Sequence, residues 1–291
     1  MRTLAVATVA LTLALGGTAH AGFVETETGA RAMGMGGAFV AVADDATALH
    51  WNPAGLADLG GFQVFGMRTS VYDVEGMSED AAVAAWGNGR RGFGLGWART
   101  GAEDLYNEDT ITAGAGFAVP VDGLRVGLAV KRLSVDAPGY DYYNDPNFDE
   151  GGDAGFAADV GCLYRRPVWS VGAVFRNIGE PELQLIETTE DPDPVYSEFR
   201  LGGAYVFREV MTLSGEWRVP REAPAFYDEK ASLNLGTEIW FYDVVALRAG
   251  LNRDRITAGL GLKTKNLLID VALLSEQRIG SLYRLSAIFQ W

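Results

Sequence analysis

From Phe62 to Trp291 the chain alternates large apolar residues with small or polar ones at a period of two. Successive side chains of a strand point to opposite faces, so this pattern predicts strands and little else. The final segment shows it plainly. Tyr283, Leu285, Ala287, Phe289 and Trp291 share one face, while Arg284, Ser286 and Gln290 share the other, with Ile288 the exception. The same reading holds for Leu233, Leu235, Ile239 and Phe241, for Leu267, Ile269, Val271 and Leu273, for Phe93, Leu95 and Trp97, and for Trp169, Val171, Ala173 and Phe175. About fourteen such segments follow one another, most near the 9–11 residues of a tilted membrane strand. Their centres fall near Phe65, Ala84, Leu95, Ala115, Leu128, Ala158, Ala173, Gly203, Leu213, Leu235, Leu247, Leu260, Val271 and Ala287, the first two ambiguous in facing.

The connections alternate as well. Tight turns are predicted at 87–91, 120–123, 165–167, 207–209, 242–243 and 263–266. Longer loops are predicted at 72–79, 101–109, 136–153, 177–197 and 219–229, with two shorter ones at 252–255 and 275–281. Short turns at one end and longer loops at the other, with an even strand count, are what an outer-membrane barrel requires. A soluble β-sandwich would also alternate, but its outward face would be polar throughout. Here the second face is mostly glycine, alanine and serine, with charges of both signs: Arg125, Lys131, Asp159, Arg176, Arg200, Glu216, Arg218, Glu238, Arg248 and Asp270. In a shared lumen these charges pair, whereas Arg or Lys facing lipid at the midplane costs about 2–4 kcal/mol. The expected fold class is all-β: a transmembrane antiparallel β-barrel of about fourteen strands with an N-terminal plug.

Residues 1–21 read as a secretory signal: Arg2, an apolar run from Leu4 to Leu15, and an Ala19-His20-Ala21 cleavage site. No other run approaches the ~18 apolar residues of a membrane helix. The expected division is therefore a signal peptide over 1–21, a hatch over 22–61 and the barrel over 62–291. The net charge of −14 argues against nucleic acid as a partner. The one cysteine, Cys162, allows no internal disulfide and falls on the apolar face.

The segment GARAMGMGGAFVAVADDATALHWNPAGL, Gly29 to Leu56, is left over by the strands. A barrel of this width is not filled by its own wall side chains, as one of about eight strands is, so this segment is expected to plug it. Gly34, Gly36 and Gly37 permit close approach and positive φ. Ala38 to Ala43 suit a short strand or apolar stretch. Asp44 or Asp45 caps a short helix through Leu49. Pro53 ends that helix, and Asn52 caps a further turn that has Pro53 at its first position and Gly55 inside it. A phosphate loop does not fit the glycine spacing. A catalytic reading would rest on Asp44, Asp45 and His50, but no serine-nucleophile or metal motif accompanies them. The expectation is a non-enzyme with no cofactor and no metal.

Two acidic loops, 136–153 and 179–198, suit either solvated outer loops or calcium, with no EF-hand spacing. Tyr140, Tyr142, Tyr143 and Phe148 suit a membrane interface or a contact surface. Trp97, Trp169, Trp217 and Trp291 suit an interfacial girdle, while Trp240 faces inward, toward the hatch or an apolar ligand.

The glycine cluster, the acidic pair Asp44-Asp45 and Asn52-Pro53-Ala54-Gly55, in that order, resemble the N-terminal signature of the PorV/PorQ family of outer-membrane proteins. That family is similar in architecture to the FadL-type long-chain fatty acid transporters. The resemblance covers about residues 29–57, and the terminal aromatic agrees with it. It implies a fourteen-stranded barrel of the bacterial outer membrane, in contact with lipids and lipopolysaccharide, with its hatch at the periplasmic side. It implies one of two roles: a type IX secretion accessory that receives secreted cargo, or, as the alternative, a FadL-like passive channel for hydrophobic small molecules gated by the hatch. A structural barrel is the third reading. The chain is shorter than typical members of either group.

Overall fold

The computed structural model describes residues 27–71, 76–102, 105–138, 152–184, 193–221, 231–276 and 280–291. The expected signal segment, the four loop aromatics Tyr140, Tyr142, Tyr143 and Phe148, and the middles of both acidic loops lie outside these residues.

Fourteen antiparallel strands close into one barrel. They are β1 (Gly60–Ser70), β2 (Met77–Asn88), β3 (Arg91–Ala102), β4 (Tyr106–Ala118), β5 (Leu124–Asp136), β6 (Gly152–Arg165), β7 (Trp169–Ile178), β10 (Glu198–Phe207), β11 (Met211–Pro220), β12 (Ser232–Phe241), β13 (Val245–Asn252), β14 (Arg255–Lys263), β15 (Leu267–Glu276) and β16 (Gly280–Gln290). A small separate hairpin, β8 (Glu182–Leu183) with β9 (Asp193–Pro194), lies in the β7–β10 loop. Closure comes from β1 against β16, with Gln63 opposite Gln290 and Ser70 opposite Tyr283, so neither strand is left as an open edge. The wall begins at Gly60 rather than Phe62, because Gly60 and Gly61 have no side chains with which to show alternation.

The alternation has a physical basis on each face. Leu95, Leu128, Trp169, Leu213, Leu247 and Phe289 are exposed on the outside, while Lys131, Asp159, Glu216, Glu238, Arg248 and Asp270 are buried inside. An uninterrupted apolar outer wall suits hydrocarbon rather than water. Ile288, which breaks the pattern, faces inward and packs against the lumenal core with Phe65. Cys162 is on the outer face and exposed, as are Trp169, Trp217 and Trp291.

Aromatic residues crowd the short-turn end. Trp86 stacks on Phe93, Phe93 meets Phe117 edge-on, and Trp291 lies between Phe62 and Phe289. Two of the tight turns have paired left-handed residues, Arg208-Glu209 and Tyr242-Asp243, with φ between 51° and 63°. That conformation matches the twist of the flanking strands, although side chains other than Gly, Asn and Asp adopt it reluctantly. One irregularity interrupts the wall. Ala158 pairs with Ile178 but Val160 pairs with Phe175, so β7 bulges around Asn177, whose φ is 57°.

Candidate functional site

The lumen is occupied by the chain's own N-terminal segment. From Thr28 to Leu59 only Asp44 is exposed. The segment starts with helix α1 (Ala30–Gly34), turns at Gly36 and Gly37, and forms one turn of helix α2 (Ala48–Trp51) followed by a 3-10 helix over Pro53–Asp58. Gly36 and Gly37 have φ of 64° and 71°, a region in which a side chain would clash with its own backbone. Of the two forms open to residues 38–43, a short strand or an apolar stretch, they take the second, as buried turns in which Val42 N and Ala43 N both donate to Phe39 O. A strand there would need a partner edge, and the closed wall offers none. The expected aspartate cap is not the one α2 has: its N-cap is Thr47, with no side-chain cap, and Asp45 Oδ1 accepts from Thr47 N at 2.9 Å in the turn before it. Asn52 Oδ1 does cap the 3-10 helix, accepting from Ala54 N at 3.2 Å. Gly55 lies against Ala43, where a Cβ would overlap the Ala43 carbonyl.

The inward glycines of the wall define how this segment lies. Gly259 meets Gly34, Gly250 meets Gly36, Gly236 meets Met35, Gly172 meets Val40, Gly161 meets Asn52, Gly127 meets Ala54, and Gly92 meets Leu56. Each pair is so close that a Cβ on the wall residue would press on the segment's backbone or, at Gly161, on the Asn52 side chain. The segment therefore runs as an inner hoop, passing strand after strand from β14 round to β3. Its apolar side chains meet one another in the middle: Ala32, Met35, Phe39, Val42, Leu49, Trp51 and Leu56 form one buried cluster. The wall glycines do not leave space beside the hoop. They are where it touches.

Ion pairs hold the hoop at several points. Arg31 donates to Glu238 through Nε and Nη2, both at 2.9 Å, and to Asp44 at 2.5 Å and Asp45 at 2.9 Å through Nη1. Glu238 also accepts from Arg248 at 2.6 Å, and Arg248 donates to Asp270 at 2.7 Å. Positive and negative groups thus alternate from the hoop through β12 and β13 to β15. On the facing side Arg218 pairs with Glu27 and Glu216, and Arg218 Nη2 donates to Gly37 O at 3.0 Å. Glu216 accepts from the backbone of Phe39 and Val40, both at 2.9 Å. The guanidinium groups of Arg200 and Arg218 each lie 5.6 Å from the Trp51 ring. Near the short turns, Asp58 accepts from Arg125 at 2.6 Å and Arg165 at 2.9 Å.

The ten wall charges named from the sequence do not form one group. Lys131, Asp159 and Arg176 cluster at the β7 bulge, with Lys131 to Asp159 at 2.8 Å and Asn177 N donating to Asp159 at 2.9 Å. Trp240 is inward at the short-turn end, beside the Arg248 and Lys263 cations at 5.8 and 5.6 Å. His50 is buried beside Gly96. It lines a cavity of about 10 Å³ with Glu27, Thr28, Trp51, Arg176 and Arg200, room for a single water. Asp44 and Asp45 are not beside it in an acid–base pair; both are bound to Arg31. Sequence reasoning missed Arg31, Glu27, Asp58, Arg165 and Arg284. Arg31 had a signal: it is the one Lys or Arg between Thr28 and Leu59. Arg284 reaches Glu79 at 2.5 Å and the carbonyl of Glu27. Among the described residues, no three His, Cys, Asp or Glu side chains group as metal ligands.

No family model and no curated protein sequence matches the chain. Solved structures match its shape. One is the CymD monoaromatic hydrocarbon channel, with a TM-score of 0.63 at 13% identity over 91% of this chain and 97% of that one. Another is the P. putida toluene transporter TodX, with a TM-score of 0.62 at 14% identity over 91% and 98%. A deltaS2 mutant of the TodX monoaromatic hydrocarbon channel gives 0.58 at 13% over 90% and 97%. These matches lend nothing to the PorV/PorQ branch of the resemblance. At such identities the likeness is one of architecture: the chain has the fourteen-strand barrel of the FadL-type hydrocarbon channels.

Proposed function

We propose that the chain is a passive outer-membrane channel for small hydrophobic molecules, closed at rest by its N-terminal segment. The observation that carries this reading is a hydrocarbon-channel barrel whose lumen is filled by the chain's own residues 28–59. A barrel that were only structural would have no need of a separate segment tied by ion pairs to β5, β6, β11 and β12. The apolar outer wall supports a place in the membrane, and the paired side chains of the lumen support transport rather than chemistry. Asp44, Asp45 and His50 have no arrangement that would activate water. In this reading the hatch spans residues 22–61, follows a cleaved signal peptide and faces the periplasm. Its charged contacts release it, and a small apolar solute passes.

The matched channels favour solute uptake over a secretion role. The test is toluene accumulation by a host strain that lacks such channels. The expected result is faster accumulation when this chain is expressed and folded in the outer membrane, rising linearly with concentration as passive passage requires. Accumulation no faster than in the empty host, with the barrel shown to be folded, would remove the proposal. Mass spectrometry of protein purified gently from its native membrane then separates the two roles. A retained apolar molecule supports the channel, and a secreted protein cargo supports the secretion accessory.

A further inference from the structure

We infer that the short-turn end of the barrel is a docking surface for anionic phospholipid headgroups. The inference rests on the membrane-spanning reading above and adds to it which lipid this end meets. The chain as a whole is strongly acidic, at −14, yet its short turns are basic. Arg90, Arg91, Arg166, Arg208 and Lys265 stand on them, against Asp122, Glu209 and Asp243. Arg125 and Arg165, at the same end, are already matched by Asp58. At the opposite end Arg68, Arg99, Arg221 and Arg284 are matched by Asp80, Asp109, Glu180 and Glu79, and Glu108, Asp136, Asp153, Glu182, Asp254 and Glu276 outnumber the remaining Arg132, Arg253 and Arg255. The two ends therefore differ in sign.

The cations stand where phosphate groups would lie. Immediately beneath them runs the aromatic belt of Trp86, Phe93, Phe117, Trp169, Phe207 and Phe241, and such belts sit at the level of the headgroups. Arg208 is braced on it, its guanidinium 5.2 Å from the Phe207 ring, while Arg166, 5.1 Å from the Tyr164 ring, is already paired with Asp122 at 2.5 Å. A guanidinium lying on a ring keeps its outer N–H groups free to meet an oxyanion. Tyr242 is 97% exposed at a turn tip, and its φ of 56° is one that a tyrosine adopts against its preference. An amphipathic ring held out there suits a headgroup layer and gains nothing in open water. Clustered cations beside an apolar wall attract anionic lipid over a short, salt-screened range.

The test uses the full mature chain, folded in detergent and moved into vesicles of phosphatidylcholine with added phosphatidylglycerol. Brominated forms of each lipid report, by tryptophan quenching, which lipid surrounds the belt. The expected result is enrichment of phosphatidylglycerol of roughly fivefold, about what one Lys or Arg contributes at an anionic surface, falling as salt rises. The double variant Arg208→Gln/Lys265→Gln, on exposed turns, is expected to lower that enrichment. Arg68→Gln/Arg221→Gln, exposed at the opposite end, is expected to leave it unchanged. Equal quenching by both lipids would overturn the inference, as would loss of enrichment in the Arg68/Arg221 variant alone. Displacement by inorganic phosphate would mean a free-anion site instead of a lipid surface. A barrel that folds in detergent and enters no vesicle would overturn the membrane reading itself, and this inference with it.

Discussion

The lumenal hoop is held differently in its two halves. Both halves lie on wall glycines, but residues 27–45 add a set of buried charges: Glu27 on Arg218, and Arg31 between the Asp44-Asp45 pair and Glu238. Residues 52–59 dock mainly through backbone, with Pro53, Ala54 and Leu56 against Gly116, Gly127 and Gly92 and only Asp58 at their end paired, to Arg125 and Arg165, and they continue directly into β1. Buried ion pairs are sensitive to the loss of one partner, because the other charge is then left in a poor solvent. Backbone against glycine has no such switch; it is removed only by steric force. The difference indicates that, if the hoop opens, the first half leaves and the second half stays as its tether.

The largest expected effect tests the hoop as a whole. Deleting residues 29–56 removes both halves, and planar-bilayer conductance to small solutes should rise from that of a sealed barrel to that of an open pore. A folded deletion with unchanged conductance would mean that the hoop is not the closure.

Arg31→Ala tests the first half alone. It leaves Glu238, buried, with Arg248 as its remaining ion-pair partner among the described residues. The expected cost is about 3–5 kcal/mol, read as faster hydrogen exchange at 30–45 with 53–59 unchanged. Equal acceleration in both halves would erase the distinction. Gly127→Val tests the converse. Its side chain would press on Pro53 and Ala54, and an overpacked contact costs about 1–3 kcal/mol. Here the exchange at 53–59 should quicken first.

A smaller effect is expected from pH. Burial pushes the Glu27 carboxyl up, but Arg218, Arg200 and Arg284 outweigh it and hold it at about 2, against an ordinary 4.5. A carboxylate with a lowered folded value stabilises the docked state fully above its unfolded value. That contribution is lost as pH falls from 4.5 toward 2. Exchange at 27–34 should therefore quicken on acidification below pH 4.5, and Glu27→Gln should abolish that step. The smallest effect is Cys162→Ala. Its side chain is on the outer face, so stability should change by no more than about 0.5 kcal/mol. A spin label on the native Cys162 should sense relaxation agents dissolved in lipid.

Much of the wall was legible because period two assigns every residue of a strand to one face or the other, and long strands repeat the message. The inward facing of Glu238, Arg248 and Asp270 follows from parity alone. Their pairing does not: Arg31 and Glu238 are 207 residues apart, and nothing local couples them. The β7 bulge at Asn177 was equally hidden, since one extra residue in a strand shifts register without changing composition. The glycines of the second face were visible in the sequence, but not their use: in three dimensions Gly92, Gly127, Gly172, Gly236 and Gly250 are each a seat for the hoop's backbone.

The sequence by itself determined the strands, their facing, the alternation of turns and loops, and the surplus of residues 29–56. All of these depend on interactions between neighbours in the chain or on the solvent each face meets, so local pattern encodes them. Only the tertiary structure decided that the surplus segment runs as a hoop on glycines, that Arg31 joins it to β12, and that Asp44 and Asp45 serve that arginine rather than His50. Those contacts form only when the barrel closes around the segment, and closure brings together residues whose separation in sequence carries no information about their distance.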